Sequence, residues 1–449
     1  MSGPLSHSEV EAILGPFQCS PLSVNVQEQG PGEEPKLHVV RNLSKGTKDI
    51  PSTNDYIDTE NFPTRFGSAT QVADIISHAP PGTQAMTLDI AKFHRMCPIL
   101  PAHKQYFMGN AGSIANAAME IWEKEKVAPA VKWVDDLNVF CFPSAGNEAL
   151  GFAYPYDMAL AKKLIEPLSI PWHKTKWSDF APIFVYISIQ WDVENKCASL
   201  PEHKRLKFLH RICQFIDLYS NHPALLAPTL SLQGSLVHIS FVYPLGSSHL
   251  PSIFSFASSF NENCYSHRYP TSPMVRDLKW WETTLSEPGL FRSLQPKGPQ
   301  LDWDISVDAS MDWGIGVVVN SKWDAWSLCP GWKSEGRNIG WLEALAVEFL
   351  VYILEANDLR DITIPAHSDN QGVIGAFKKG RSRSISINLS IQRSAVILTT
   401  RGISLSLSYI ESVKNLADPI SCRDLSPPEM RLRTYFQLPD ELTPFICHV

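Results

Sequence analysis

Seven carboxylates stand where the surrounding residues are apolar. Asp135 and Asp136 are adjacent within AVKWVDDLNVFCF (130–142), flanked by Val134, Leu137, Val139 and Phe140. Two unpaired acids in a buried strand repel each other and lose hydration, which raises the pKa of at least one. Magnesium held by carboxylates, with substrate phosphates completing its shell, offsets that cost. Asp89 lies in a second strand-like segment, AMTLDIAKF (85–93). If the two strands are neighbours, their acids meet at one edge. Two cations about 4 Å apart could then activate a hydroxyl and stabilise a leaving phosphate oxygen. The competing reading of Asp-Asp is a solvated hairpin turn; apolar flanks on both sides weigh against it.

Asp308, Glu343, Asp369 and Asp418 form a second set. Asp308 ends an apolar strand, and Glu343 sits in the first turns of an apolar helix beside Leu342 and Leu345. Asp369 follows another strand, and Asp418 stands in NLADPIS after the last one. Singly, each has an ordinary reading: a turn residue, an acid in a helix's first turn, or a helix cap. Together they lie at the ends of apolar elements that can converge on one sheet edge. Four gathered carboxylates need cations, and two divalent metals would drive phosphodiester hydrolysis.

The elements that must position these acids can be read from periodicity. Residues 1–35, rich in Gly, Pro, Glu and Ser, read as a loose leader, and KLHVVRNLS begins strand-like alternation at Lys36. SIANAAMEIWEKEK (113–126) has helical spacing, and 203–218 is a basic amphipathic helix. Helices interrupted at Pro244 and Pro251 follow, then a linker at 286–300. Strands are expected at 303–309, 313–319 and 323–328, then a helix at 340–354. A strand at 361–367, helices from Gln371 and at 386–399, and a strand at 403–410 complete the block. This order predicts α/β and α+β multidomain architecture, with a mixed sheet in the last block at 301–425 and a tail over 426–449.

The 449 residues carry a net charge of −7 and 44% hydrophobic residues, enough for genuine cores. The acidic total argues mildly against nucleic acid, but binding depends on a local basic groove. Nine scattered cysteines without a CxxC pair argue against a disulfide framework or zinc finger and fit a reducing compartment. No signal peptide and no apolar run of about 18 residues is seen, so no membrane association and an intracellular location, cytoplasmic or nuclear, are expected. The tryptophans of the last block read as core packing before base stacking.

KWVDDLNVF resembles the xxDD box of reverse transcriptases, and TLDIAKFHRMCPILPAHKQYF resembles their motif A. RNLS (41–44) is similar to their fingers segment, LSIPWHKTKW (168–177) to motif D, and FVYISIQWD (184–192) to motif E. SLQGSLVHISFVYPLGSSHLPSIFSFASSF (231–260) resembles the thumb side of retrotransposon enzymes of the DIRS-like and related fungal kind. SVDAS, WLEALAVE, HSDNQGVI and NLADPIS match the four boxes of retroelement ribonuclease H. The resemblance implies palm, fingers and thumb over 36–285, followed by a ribonuclease H-like mixed α/β domain. It implies an RNA-directed DNA polymerase coupled to cleavage of RNA in RNA–DNA hybrids. Asp89, Asp135 and Asp136 would be the metal ligands of one site, and Asp308, Glu343, Asp369 and Asp418 those of the other. Phe93 or His94 would exclude a ribose 2′-OH, and Lys174 would lie near the incoming triphosphate.

The implied cofactor is Mg²⁺, with Mn²⁺ as substitute. The implied partners are an RNA or DNA template-primer, an RNA–DNA hybrid, deoxynucleoside triphosphates and other proteins of the same element. Lys204, Arg205 and Lys207 could track phosphates, as could Lys378, Lys379 and Arg381 after Asp369. Motif B is compressed into FMGNAGSIANAAM (107–119), so two alternatives stay open. One is an inactive polymerase beside an active nuclease, and the other is a non-catalytic nucleic-acid-binding derivative.

Overall fold

The computed structural model describes residues 6–14, 22–27, 36–41, 66–91, 107–147, 149 and 151–449. The chain is a mixed α/β protein that divides into two units, Met1–Cys197 and Ala198–Val449. The expected linker at 286–300 thus falls inside the second unit.

In the first unit, α1 (His7–Leu14) precedes β1 (Leu22–Gln27) and β2 (Lys36–Arg41), which pair antiparallel with Leu22 opposite Arg41. The stretch expected as a loose leader therefore contains a strand. LSVNVQ alternates apolar and polar residues, and the Gly- and Pro-rich flanks mask that period in the composition. A capping box between Ser68 and Gln71 opens α2 (Ala69–His78).

Four antiparallel strands follow in the spatial order β4 (Ala130–Trp133), β5 (Asp136–Cys141), β3 (Gln84–Ile90) and β8 (Trp172–Ala181). Strand periodicity sorts their side chains. Met86, Leu88 and Ile90 share a core with Leu137, Val139 and Cys141. That core also takes Ala115, Ala118 and Trp122 of α3 (Phe107–Lys124) and Ala161 of α4 (Met158–Leu164). Trp122 donates its indole N–H to the Ala161 carbonyl at 2.8 Å, so its burial leaves no unpaired donor. By alternation, Asp89 and Asp136 belong to the other face. Two short hairpins, β6 (Ala145–Asn147) with β7 (Gly151–Ala153) and β9 (Ile183–Tyr186) with β10 (Ile189–Asp192), and the short β11 (Cys197–Ser199) complete the series.

In the second unit, α5 (Glu202–Tyr219), α6 (Leu226–Ile239), α7 (Pro251–Ser258) and α8 (Ser272–Ser286) come first, then β12 (Phe291–Ser293). Prolines open the segments at 244 and 251, as expected from their fixed φ at a helix start. A six-stranded mixed sheet follows. Its members are β13 (Ser306–Ala309), β14 (Gly314–Val319), β15 (Lys322–Leu328), β16 (Thr363–Ser368), β17 (Ser404–Tyr409) and β18 (Ile446–His448). The spatial order is β17-β16-β13-β14-β15-β18, with β13, β16 and β17 parallel and the rest antiparallel.

Between the strands run α9 (Ile339–Ala356), α10 (Gln371–Lys379), α11 (Ile385–Arg401) and the short α12 (Asp418–Ser421). Helix α9 is buried without interruption from Trp341 to Leu354, as a helix apolar on every side must be. Ile315, Val317 and Val319 face its core, while Val318 packs with Ala417 and Ile420 on the opposite side of the sheet.

The C-terminal segment expected as a tail is part of this fold. Ile446–His448 form an edge strand on β15, and Leu442 and Ile446 are buried in the core with Phe349. A three-residue strand is too short to show a period, so it was invisible to pattern reading. Trp323, Trp326, Trp332 and Trp341 are buried, in accord with a packing role.

Glu348, fully buried on α9, is clamped by Arg393 of α11, whose Nη2 lies 2.8 Å from Oε2, and by the Tyr352 hydroxyl at 2.5 Å. Removing one partner of such a pair strands a charge in the core. Arg393→Ala is expected to cost about 3–5 kcal/mol, read as a lower urea midpoint; an unchanged midpoint would show that the clamp contributes nothing.

Candidate functional site

The first set of acids is brought together at a hairpin. Asp89, near the end of β3, lies directly opposite Asp136, the first residue of β5. The paired acids do not lie in the middle of one strand, as the apolar flanks suggested. Trp133 pairs with Asp136 across a two-residue turn of Val134 and Asp135. Val134 has φ 54°, the left-handed region that a type II′ turn demands at its first central position and that glycine normally fills. A β-branched residue there is strained. The turn carbonyl of Asp135 accepts from the Ile90 N–H at 2.9 Å, which ties the turn to the end of β3. Both competing readings were thus half right: Asp135 sits in a turn, and Asp136 opens the apolar strand that follows it.

Burial pushes the Asp136 carboxyl up to about 6, and the neighbouring Asp135 and Asp89 add to the rise; Lys176 opposes it. The Lys176 Nζ lies 3.3 Å from Asp89 Oδ2. Its reach comes from an irregularity in β8. Leu88 pairs with Trp177 and Ile90 with Trp172, so the residues 173–176 bulge out opposite Asp89. The His173 ring nitrogen braces this bulge by accepting from the Thr175 and Lys176 N–H groups, both at 3.2 Å. Such bulges re-aim side chains. Lys174, the expected triphosphate contact, is exposed on the same bulge, while Lys176 is the lysine that meets a candidate metal ligand. Sequence reading missed it because two lysines in HKTKW are indistinguishable without the bulge. Phe93, His94 and Asn42 lie outside the described residues.

The second set converges more tightly. Asp308, Glu343 and Asp369 each offer a carboxylate oxygen, and these atoms lie within 4.8 Å of one another. Among the described residues, Asp89, Asp135 and Asp136 do not reach that closeness. The parallel pairing of β13 with β16 sets the level: Ser306 lies opposite His367, so Asp308 and Asp369, each two residues on, are also at matching heights. Helix α9 supplies Glu343 from its buried first turns.

The surroundings hold Asp308 firmly. Asn415 Nδ2 donates to its Oδ1 at 3.2 Å, and the Ser421 hydroxyl donates to Oδ2 at 2.5 Å. Neither residue stands out in the sequence, since Asn and Ser are ordinary in a loop and a short helix. Asp418 lies beyond the tight group and accepts from the Ser412 hydroxyl at 3.1 Å. Its charge still acts on Asp308, which burial pushes up to about 7, with Asp369 and Asp418 raising it further and the Ser421 bond opposing. Burial pushes Glu343 up to about 9, again with Asp308 and Asp369 contributing. Its Oε2 is buried with no hydrogen-bond partner. A buried, unpaired carboxylate oxygen beside two further acids is a donor set for a hard divalent cation.

Gly316 makes this packing feasible. It pairs with Asp308 across the sheet, and a Cβ there would lie 2.8 Å from both the Ala417 carbonyl oxygen and the Ser421 N. Only a residue without a side chain lets α12 approach Asp308 so closely.

The basic residues divide. Arg205 is not available to phosphates: its guanidinium is buried, paired with Glu202 at 2.6 Å and donating to the Leu285 carbonyl. A buried, neutralised arginine serves packing between α5 and α8. Lys204 and Lys207 are half-buried on the same helix. Lys378 and Lys379 are exposed at the end of α10, and Arg381 lies over the Phe254 ring at 5.3 Å. Lys379, Arg381 and Arg383 line a groove of about 1010 Å³ with Phe254, Ser258 and Gln371. No helix of the described residues is long and apolar enough to cross a membrane.

Without cations, Glu343 and Asp308 hold protons that the unfolded chain releases near 4.5 and 3.8. Their protonated forms favour the fold fully below those values, and the benefit falls as pH rises toward about 9 and about 7. In EDTA, melting temperature should therefore drop from pH 5 to 9. Glu343→Gln should flatten the slope and raise stability at pH 8 by an amount on the order of a few kcal/mol. A parallel decline in the variant would contradict the charge accounting. Gly316→Ala should cost about 1–3 kcal/mol by overpacking and weaken cation binding, measured by denaturation and calorimetry; unchanged values would remove the argument from close approach.

No protein-family model matches the sequence, and no curated protein does. Among the solved structures that resemble the chain are three of a foamy viral protease-reverse transcriptase. The first is a foamy viral protease-reverse transcriptase in complex with an RNA/DNA hybrid, at 11% identity and TM-score 0.42, covering 94% of this chain and 53% of that one. The second, the foamy viral protease-reverse transcriptase dRH with ds DNA, is 10% identical with TM-score 0.36, covering 89% and 67%. The third, the foamy viral protease-reverse transcriptase with dsDNA, is 13% identical with TM-score 0.39, covering 89% and 79%. The chain thus spans about half the length of the first.

Proposed function

We propose that the chain is a divalent-cation-dependent enzyme of phosphodiester chemistry on nucleic acids, with a ribonuclease H-type site in its second unit. The convergence of Asp308, Glu343 and Asp369 within 4.8 Å carries this reading. The unpartnered Glu343 Oε2 and the all-oxygen donor set fit Mg²⁺, with Mn²⁺ as substitute. Bound there, such cations would supply the charge that activates an attacking water and stabilises a leaving 3′ oxygen.

The chain's own residues prepare that site. Asn415 and Ser421 orient Asp308, α9 holds Glu343 rigid, and Asp369 sits where α10 begins. Asp418 adds negative charge at the rim. Lys378, Lys379 and Arg381 would hold the phosphate backbone of the substrate, which we take to be an RNA–DNA hybrid. The ribonuclease H-like domain would occupy 301–425 with β18 closing its sheet edge.

The first unit, with the helices that follow it, would be the palm, fingers and thumb of an RNA-directed DNA polymerase over 36–285. Asp89, Asp135 and Asp136 would hold its cations, and Lys174 or Lys176 would meet the triphosphate of an incoming deoxynucleotide on a template-primer. Two observations favour a second reading, an inactive polymerase beside an active nuclease: the first trio does not gather as tightly, and Lys176 already occupies Asp89.

Asp369→Asn should lower Mg²⁺-dependent cleavage of the RNA strand of a labelled hybrid by about 10²-fold or more and leave primer extension intact. Asp136→Asn should do the reverse. Extension absent from the unaltered chain, with cleavage present, would select the second reading. Absence of hybrid cleavage in the unaltered chain would overturn the first.

A further inference from the structure

We propose that Cys329 and Cys447 form a redox-modification site: a dithiol that closes to an intramolecular disulfide and locks the C-terminal strand onto the six-stranded sheet. The two sulfurs are 118 residues apart in sequence and 3.1 Å apart in space. The pairing of β15 with β18 sets this geometry. Ser327 lies opposite Cys447 and Leu328 opposite Ile446, and the Cys329 N–H donates to the Phe445 carbonyl at 2.8 Å. Cys329 and Cys447 therefore lie diagonally on one face of a strand pair that is already fixed. A disulfide needs about 2.05 Å between sulfurs, so the atoms must close by only about 1 Å, within reach of small side-chain rotations.

Accessibility supports the assignment. Cys447 is exposed and Cys329 partly so, whereas Cys141 is buried under α3 and α4. A buried single cysteine is shielded from exchange; an exposed pair in contact is accessible to it. The strand it would lock is short. Its other ties include the Asp324 carboxylate, fully buried, which meets His448 Nε2 at 2.9 Å and Arg431 Nε at 3.2 Å, the stacking of His448 on Trp326, and the packing of Leu442 and Ile446. Edge strands of three residues are the natural place for a fold to open first.

The exchange balances with a low-molecular-weight disulfide as oxidant. The Cys447 thiolate attacks one sulfur of that disulfide, forming a mixed disulfide and releasing one thiol. The Cys329 thiolate then attacks the Cys447 sulfur and releases the second. Two protein thiols are oxidised, and one small disulfide is reduced to two thiols. The closed loop would contain Glu343, Asp369 and Asp418 but not Asp308, so the crosslink constrains unfolding of the segments that bring three of the four acids to the site.

The test uses the full chain incubated with oxidised glutathione, followed by peptide mapping without reductant and thermal denaturation. The expected result is a linked peptide pair holding Cys329 and Cys447, and a melting temperature raised by about 5 °C or more, both reversed by dithiothreitol. Cys329→Ser and Cys447→Ser should each abolish both effects, and Cys264→Ser should leave them intact. Three results would overturn the proposal: both thiols still alkylated after equilibration, glutathione retained on Cys447 as a stable mixed disulfide, or linkage to any other cysteine. A correct crosslink without a thermal shift would overturn the locking role.

Discussion

Helix α9 carries two buried glutamates, and the difference between their surroundings organises the second unit. A carboxylate taken out of water must be neutralised, paired or protonated. Glu348 is paired: Arg393 and Tyr352 satisfy both its oxygens. Glu343 lies five residues earlier on the same rigid, buried helix and finds two more acids where a base might have been. One of its oxygens has no partner at all. Stability alone would have selected against that arrangement, because an apolar residue of similar size would cost less. The cluster makes physical sense as a place for cations, and the packing around α9 ensures that Glu343 cannot swing away when none is present.

The first unit meets the same constraint differently. Asp89 and Asp136 are cross-strand neighbours on the face away from the core, and a lysine on a bulge supplies positive charge directly. The Asp135 side chain is placed by a strained turn, with Val134 at φ 54° where glycine would sit without cost. Local strain persists only where the flanking structure over-determines it, and here both strands of the hairpin and the Ile90 bond do so. The two sites therefore differ in their resting state: one carries a built-in ammonium, the other an unmet demand for charge.

Much of this was legible in the sequence because burial and period leave strong marks. Five of the six strands and all three long helices of the last block were expected within about three residues of their positions. So was the meeting of Asp89 with Asp136. What escaped depended on contacts rather than pattern. Arg205 belongs to a basic run, yet its burial follows from Leu285 and Glu202. Asn415 and Ser421 matter only because Gly316 lets α12 approach. The edge strand at Ile446 is three residues long, shorter than any period that could announce it. Lys176 was hidden behind Lys174 because a β-bulge changes which residue points where without altering composition.

The placement of Asp308 beside Asp369 reduces to one register. Ser306 lies opposite His367 in a parallel pair, so an equal step of two residues along each strand brings both acids to the same end of the sheet. In open α/β sheets that carboxyl end is where ligands are held. A slip of one residue would turn Asp369 to the opposite face and leave Asp308 and Glu343 as an uncompensated pair in the core. The register is guarded from both sides: Ile364, Ala366, Leu405 and Leu407 anchor β16 and β17 in the core, while the His367 N–H binds the Ile305 carbonyl at 2.9 Å. Apolar burial, which knows nothing of metals, thus decides where the charges meet.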